Sequence, residues 1–408
     1  MIFELAWRNL WRNRRRTLLS VSAVTFTVII LILLPSMQVG GYAAMIRAST
    51  QVLDGYAQLQ QVDYLDKPSI RHSFAVTEQT LSGLRQQFPD LALSPRMSGF
   101  ALASSEGRTL GVQVLGVDAG YEPKVSSLPG TIRQGRYLQN SDELVMGATL
   151  ASNLQLKLGD PITLLGSGRD GSLAVDSLKL VGIFESGSKT IDRQLVEMDI
   201  QRFNQTFAMQ GQYHAIVISA ESRSTVMDRV QALSVIGQNL SGQQSWVVRP
   251  WSELETGLLK AIKIDMSTAA LVYLVLVVVV CFTLLNTLLM SLMERTREFG
   301  MMMALGVRPA LLGKVIWLEN CLTGLLGVAA GMLLGSLLVL WLESHGITFD
   351  SAEAVMAEYG LSSTLYPDLN ALSLLAGPGV VMLVLMLAGL FPLFKIRRLS
   401  VLDAMRSA

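Results

Sequence analysis

Apolar side chains are gathered into four long runs, and between the first two the period of the pattern changes. The runs Thr17–Met37, Met266–Met293, Asn320–Leu342 and Leu369–Phe394 contain no Asp, Glu, Lys or Arg. Crossing a bilayer core of about 30 Å takes roughly 20 apolar residues in a helix, so each run is long enough. Residues 38–265 read differently. DPITLL and SLAVDSLKLVGIF alternate apolar and polar positions as half-buried strands do, and HAIVIS is a further strand. ELVMGATLASNLQL reads as a short strand running into a helix, and STVMDRVQALSVIGQ as an amphipathic helix. The fold class expected is a four-helix α-helical membrane domain plus one large external α+β domain inserted between helices 1 and 2. The divisions are an amphipathic helix at 1–16, spans at 17–37, 266–293, 315–342 and 369–394, the external domain at 38–265, a cytoplasmic loop at 294–314, a short external loop at 343–368 and a tail at 395–408.

Composition agrees: half of the 408 residues are hydrophobic and 16% are charged, too apolar for an ordinary soluble protein of this size. The net charge of +1 carries no message, because the charges are unevenly placed. Arg8, Arg12, Arg14, Arg15 and Arg16 precede the first span; Arg295, Arg297, Arg308 and Lys314 lie between the second and third; Lys395, Arg397, Arg398 and Arg406 follow the fourth. Residues 343–368 have no Lys or Arg. By the positive-inside rule both termini and the 294–314 loop are cytoplasmic and the large domain is outside. At about 21 residues the first span exceeds a usual signal-peptide core, so it is expected to be retained.

In MIFELAWRNLWRNRRR, Phe3, Trp7, Leu10 and Trp11 share one helical face and Arg8, Arg12 and Arg15 another, a pattern that suits the inner membrane interface. Trp317 and Trp341 read as interfacial anchors. Gly327, Gly331 and Gly335 form a small-residue stripe for close helix packing, with Asn286 and Thr323 as cross-helix hydrogen-bonding candidates. Glu319 is expected to pair with Lys314 or Arg308 or to stay near the headgroups, and Gly377-Pro378-Gly379 to mark a break or hinge in the fourth helix.

Signs of chemistry are missing. GSGRDG (Gly166–Gly171) matches a dinucleotide fingerprint by letters, but a strand pattern follows where a helix is required, so it reads as a hairpin turn. GVRPALLGKV lacks the glycine spacing and the Ser or Thr of a phosphate loop. His72, His214 and His345 are scattered, and Cys281 and Cys321 lie in membrane runs, which excludes a disulfide framework for the external domain. No catalytic residue, metal site, cofactor or nucleic-acid partner is expected.

The segment MERTREFGMMMALGVRP (Met293–Pro309) is overbuilt for a loop. It reads as a short helix with Glu294–Arg297 and Arg295–Glu298 at i, i+3, an adaptable apolar run of Met301, Met302, Met303 and Leu305, Gly306 as C-terminal cap and Pro309 closing it. Here the chain resembles a family: the permeases that include the lipoprotein-release permeases, the macrolide exporter MacB and the division protein FtsX. The resemblance rests on LAWRNLWRNRRRTLLSVSAV, GRYLQNSDELVMGATLASNLQLKLGD, LLNTLLMSLMERTREFGMMMALGVRP and PLFKIRRLSVLDAMRSA. Asn286, Glu294, Arg295, Arg297, Glu298, Gly300, Ala304, Leu305 and Gly306 match the family pattern, whereas Val401 stands where the family usually has proline.

The resemblance implies a non-catalytic permease subunit of an ATP-binding-cassette complex in a bacterial inner membrane. Glu294, Arg295, Arg297, Glu298, Met301, Met302, Leu305 and Gly306 would dock on a separate ATPase subunit, present in two copies and holding the ATP and magnesium. A second permease chain, identical or paralogous, would pair through the membrane helices among membrane lipids. ATP-driven closure would move the periplasmic domains without a solute crossing the bilayer. Extraction of lipoproteins or lipids toward a periplasmic carrier is the leading reading. The alternatives are efflux with a periplasmic adaptor and regulation of an envelope enzyme.

Overall fold

A computed structural model describes residues 2–12, 14–105, 107–240, 246–348 and 364–391. The basic tail at 395–408 and most of the 343–368 loop lie outside the described residues. The chain divides into two compact units: Met1–Ala43 with Ile262–Thr348 and Thr364–Ala408, and Ala44–Ala261 with Phe349–Ser363.

Helix α1 (Ile2–Arg12) precedes α2 (Arg14–Ser49), which a π-helical turn at Thr50–Asp54 ends. Strands β1 (Ala57–Gln61) and β2 (Phe74–Ala75), helix α3 (Glu78–Gln87) and the hairpin β3 (Ala92–Ser105) and β4 (Arg108–Val117) follow. Then come α4 (Glu122–Val125), β5 (Ile132–Gly135), β6 (Glu143–Gly147), α5 (Ala148–Leu154), and the hairpin β7 (Pro161–Ser167) and β8 (Leu173–Phe184). Next are α6 (Lys189–Gln194), β9 (Leu195–Asp199), α7 (Ile200–Thr206), β10 (Gln212–Tyr213), β11 (Ala215–Ser219), α8 (Arg223–Leu240), β12 (Trp246–Pro250) and α9 (Trp251–Leu254). The chain continues through α10 (Thr256–Glu294), α11 (Thr296–Ala304), α12 (Pro309–His345), a short hairpin β13 (Ile347–Thr348) and β14 (Thr364–Leu365), and α13 (Ala371–Ala388).

Among the described residues, four helical segments are long and apolar enough to cross a membrane: Thr17–Asp54, Thr256–Val279, Pro309–His345 and Ala371–Ala388. Their packing rests on missing side chains. A Cβ on Gly327 would stand 2.7 Å from Val24 Cβ and one on Gly331 2.6 Å from Val28 Cβ, so the glycines admit a valine ridge of α2 against α12. Gly335 receives Ile32 in the same way, and the Thr25 hydroxyl donates to the Gly327 carbonyl at 3.1 Å. Two expectations are corrected. Thr323 donates back to Glu319 of its own helix, and the cross-helix bond belongs instead to Asn320, whose amide donates to the Leu385 carbonyl. The fourth helix does not break at Pro378, since α13 runs through it; Gly377 lies instead where a side chain would strike Leu31. Asn286 is exposed on α10, as are Leu271, Val275, Val279 and Phe282.

The other unit is α+β. Its ten-stranded sheet runs β12-β1-β11-β3-β4-β9-β6-β8-β5, with β7 between β3 and β8. Most pairings are antiparallel, but β4–β9 and β6–β8 are parallel. The main core, with Met97, Val114, Leu144, Met146, Leu178, Phe203 and Phe207, lies under α5 and α7. A second, under α3 and α8, gathers Phe74, Leu81, Ile216, Ile218, Val226 and Trp246. GSGRDG is the turn of the β7–β8 hairpin, with Gly168 N–H on the Ser172 carbonyl and Gly171 at φ +88°.

Candidate functional site

The segment singled out by its charge folds as a helix between two helices. α10 runs to Glu294, and α11 spans Thr296–Ala304. Gly306 takes φ +92°, a conformation that disfavours other residues, and its N–H and that of Val307 cap the carbonyls of Met303 and Met302. Pro309 does not close this helix but opens α12 as its first residue, where a missing N–H costs nothing. The apolar run is divided by its helical position. Phe299 and Met303 are buried with Leu312, and Met302 packs beside them, while Met301 is 52% and Leu305 85% exposed. α11 therefore has an inner face that seats it and an outer apolar edge that is exposed among the described residues.

The charges tie α11 to two other elements. Arg295 donates to both carboxylate oxygens of Glu319 on α12, at 3.1 and 3.0 Å, with both side chains mostly buried. Glu319 thus pairs with Arg295 and not with Lys314 or Arg308. Arg295 lies at the α10–α11 junction, one residue before α11, and its reach across to α12 is invisible in local spacing. Arg295 is also 3.5 Å from Glu298, and Glu298 accepts from Arg12 of α1 at 3.0 Å. Arg12 was missed because the two partners are 286 positions apart. The side chains of Glu294 and Arg297 are outside what can be described.

α1 is also divided, into three strips. Ala6 and Leu10 are buried against Leu322, Leu318 and Leu326 of α12. Phe3, Trp7 and Trp11 point outward, the two indoles edge to face at 6.1 Å. Leu10 was expected on the aromatic face; it belongs to the packing strip, because about 100° per residue sets it next to Ala6. The Thr17 hydroxyl donates to the Leu10 carbonyl at 2.7 Å, fastening the end of α1 to the start of α2.

In the external unit the sheet encloses a group of charges. Arg96 on β3 is paired with Glu122, which is fully buried, and also donates to the Leu53 carbonyl. Glu197 on β9 is fully buried, accepts from the Tyr137 hydroxyl at 2.9 Å, and has no hydrogen-bond partner on its other oxygen among the described residues. Burial, then the negative charge of Glu122, pushes its carboxyl up to about 8, while Arg96 opposes this. His214 accepts from the Ser98 N–H and faces the Ile70 carbonyl; burial pushes it down to about 4.

These shifts predict a stability profile. Glu197 holds a proton in the folded chain that the unfolded chain has released, so it contributes stability below pH 4.5 that is lost as pH rises toward 8. His214 has the opposite sign: its neutral burial favours the folded chain increasingly from pH 4 to 6.5. The two offset each other up to pH 6.5, and Glu197 acts alone above it. Chemical denaturation of the purified chain, followed by tryptophan fluorescence, is expected to show a loss of up to about 2 kcal/mol between pH 6.5 and 8. Glu197→Gln should flatten that limb, and an unchanged slope in the variant would sink the assignment.

One sheet face is left open. Leu102 on β3 lies opposite Leu165 on β7, which lies opposite Val175 on β8, and Phe100 and Leu173 extend the strip. All five are exposed, Phe100 at 72% and Leu173 at 74%. Phe100, Leu102 and Leu165 line a cavity of about 450 Å³ together with Gly111, Gln113 and Gln194.

Comparison with known proteins matches both units. Residues 17–233 match the family described as MacB-like periplasmic core domain, and residues 270–401 the family described as FtsX-like permease C-terminal. The lipoprotein-releasing system transmembrane protein LolC of Neisseria meningitidis is 22% identical over 333 residues, 79% of this chain and 76% of the relative. LolE of Haemophilus influenzae is 22% identical over 377 residues, covering 89% and 88%. Among solved structures, the periplasmic region of MacB from Actinobacillus actinomycetemcomitans matches at 12% identity and TM-score 0.38, over 50% of this chain and 91% of that one. The extracellular domain of the transporter YknZ from Gram-positive bacteria matches at 15% identity and TM-score 0.35, over 47% and 97%.

Proposed function

Because this chain belongs to the ABC transporter permease family that joins a MacB-like periplasmic core to an FtsX-like C-terminal region, we propose that it couples ATP hydrolysis in a separate ATPase subunit to movement of its periplasmic domain, releasing lipoproteins or lipids from the inner membrane. The observation that carries this is α11: a short capped helix whose inner face is seated by Phe299 and Met303 and whose outer edge, Met301 and Leu305, is bare. Methionine and leucine beside Glu298 suit a groove with charged margins on a cytoplasmic partner. The termini and the 294–314 loop are then cytoplasmic and residues 38–265 periplasmic, in keeping with the Lys and Arg distribution.

Release of lipoproteins is favoured by the LolC and LolE relatives, which align over most of both chains. The apolar strip from Phe100 to Val175 is the candidate surface for apolar cargo or for its soluble carrier. A second permease chain would cover α10, whose Leu271, Val275, Phe282 and Asn286 are exposed. The match to the MacB-like periplasmic core also suits adaptor-linked efflux.

The test is isolation of the tagged chain from native membranes in mild detergent, with co-purifying chains identified by mass spectrometry. An ATPase with a second permease and a lipid carrier is the expected set; an adaptor in place of the carrier would select efflux. No ATPase, even after crosslinking through residues 295–305, would overturn the coupling reading.

A further inference from the structure

α1 meets its surroundings in three ways. Ala6 and Leu10 seat it on α12; Phe3, Trp7 and Trp11 form an outward aromatic ridge; Arg8 and Arg12 lie exposed next to that ridge. Exposed Arg14 and Arg15 continue the basic side into the first turn of α2, and α2 becomes apolar from Thr17 onward. The helix therefore stands within a few residues of the point where the chain enters hydrocarbon. Aromatic rings beside arginines at that depth match the acyl boundary and the phosphate layer of a membrane. Arg12 has a second engagement, the 3.0 Å ion pair with Glu298 of α11. Both groups are exposed, at 61% and 47%, so a competing anion can reach Arg12 and take the place of Glu298. Glu298 in turn touches Arg295, which is fixed by Glu319. The chain of charge is thus Arg12–Glu298–Arg295–Glu319, with its first member open to the lipid surface.

We propose that α1 senses anionic phospholipid headgroups and that α11 reads its state through the Arg12–Glu298 pair. A headgroup phosphate and Glu298 are alternative partners for Arg12. Anionic lipid draws Arg12 away, removes one of the contacts that hold α11, and exposes its outer edge further. This rests on α11 being the coupling helix, and it adds regulation of that helix by the lipid charge of the inner leaflet.

The experiment uses the full chain without any ATPase, so its failure is separate from failure of the coupling reading. Cys281 and Cys321 are changed to serine, and a Met301→Cys reporter is labelled with a maleimide in vesicles. Leu305→Cys serves as a second reporter if the first does not fold. In vesicles with about one-third phosphatidylglycerol, labelling should be roughly fivefold faster than in pure phosphatidylcholine, the factor carried by about one basic contact with an anionic surface. Arg12→Gln should label fast in both, and Arg12→Lys should restore the lipid dependence in part. Equal rates for the unmodified Arg12 chain in the two vesicles would overturn the proposal, as would a lipid response that survives Arg12→Gln. The same acceleration from inorganic phosphate over phosphatidylcholine would overturn the lipid assignment.

Discussion

Changing Arg297 and Glu298 together to alanine is expected to uncouple the complex. ATP-driven release in reconstituted vesicles should fall to the level seen without the permease, while protease protection still reports normal membrane insertion. Glu298 is exposed beside the bare edge formed by Met301 and Leu305, and Arg297 lies on the same short helix. If α11 docks on its partner as proposed, truncating both charged contacts beside the apolar edge should remove about 2 kcal/mol, roughly thirtyfold in affinity. Leu305→Asp should do as much by putting a charge where a groove closes. Arg295→Ala should behave differently. It leaves Glu319 mostly buried without its partner, which costs several kcal/mol (about 3 for a buried pair), so the loss should show in yield and thermal aggregation before activity is assayed. Full activity in the Arg297/Glu298 double variant would end the assignment of α11.

Gly331→Leu is expected to take the membrane helices apart. Even a Cβ at that position would stand 2.6 Å from Val28 Cβ and 3.0 Å from the Thr25 carbonyl, closer than real contacts allow. The helices must separate or tilt, and the neighbouring Val24 and Ile32 contacts with Gly327 and Gly335 loosen as well. Overpacking of this sort costs about 1–3 kcal/mol, and the larger figure applies where the strike is on backbone. Size-exclusion chromatography after heating should show early aggregation. Gly331→Ala should be milder, because it adds the Cβ alone. If Gly331→Leu elutes and melts like the unmodified chain, the α2–α12 contact is not where the structure puts it.

Local patterns were legible and distant partners were not. The four apolar runs, the β6–α5 strand-to-helix passage and the Gly168–Gly171 turn each depend on a dozen or so neighbouring residues, so periodicity and turn chemistry reach them. Arg295 with Glu319, Arg12 with Glu298 and Asn320 with the Leu385 carbonyl depend on which helix lies beside which. A hydrophobic period tells which face is buried and not what buries it. Leu10 shows the same limit: an apolar face at helical spacing was visible, but its division between Leu10, against α12, and Trp7 and Trp11, facing out, was set by the neighbour. The order of the sheet was equally hidden, because β1 pairs with strands near residues 215 and 250.

That last pairing sets a schedule for the newborn chain. β1 sits between β11 and β12, so each of its two edges stays unsatisfied until a strand from the far end of the domain arrives. Ala57 meets Ile218 on one side and Pro250 on the other. At roughly 5–20 residues per second, the ribosome needs on the order of 10–40 s between making β1 and making β12. Throughout that interval a glutamine-rich strand tethered to a membrane helix has both ladders bare, and such an edge invites pairing with the wrong chain. Biogenesis of this protein is therefore expected to lean on a periplasmic holding chaperone during that interval, and a truncation ending before Trp246 should be degraded far faster than one ending after Pro250.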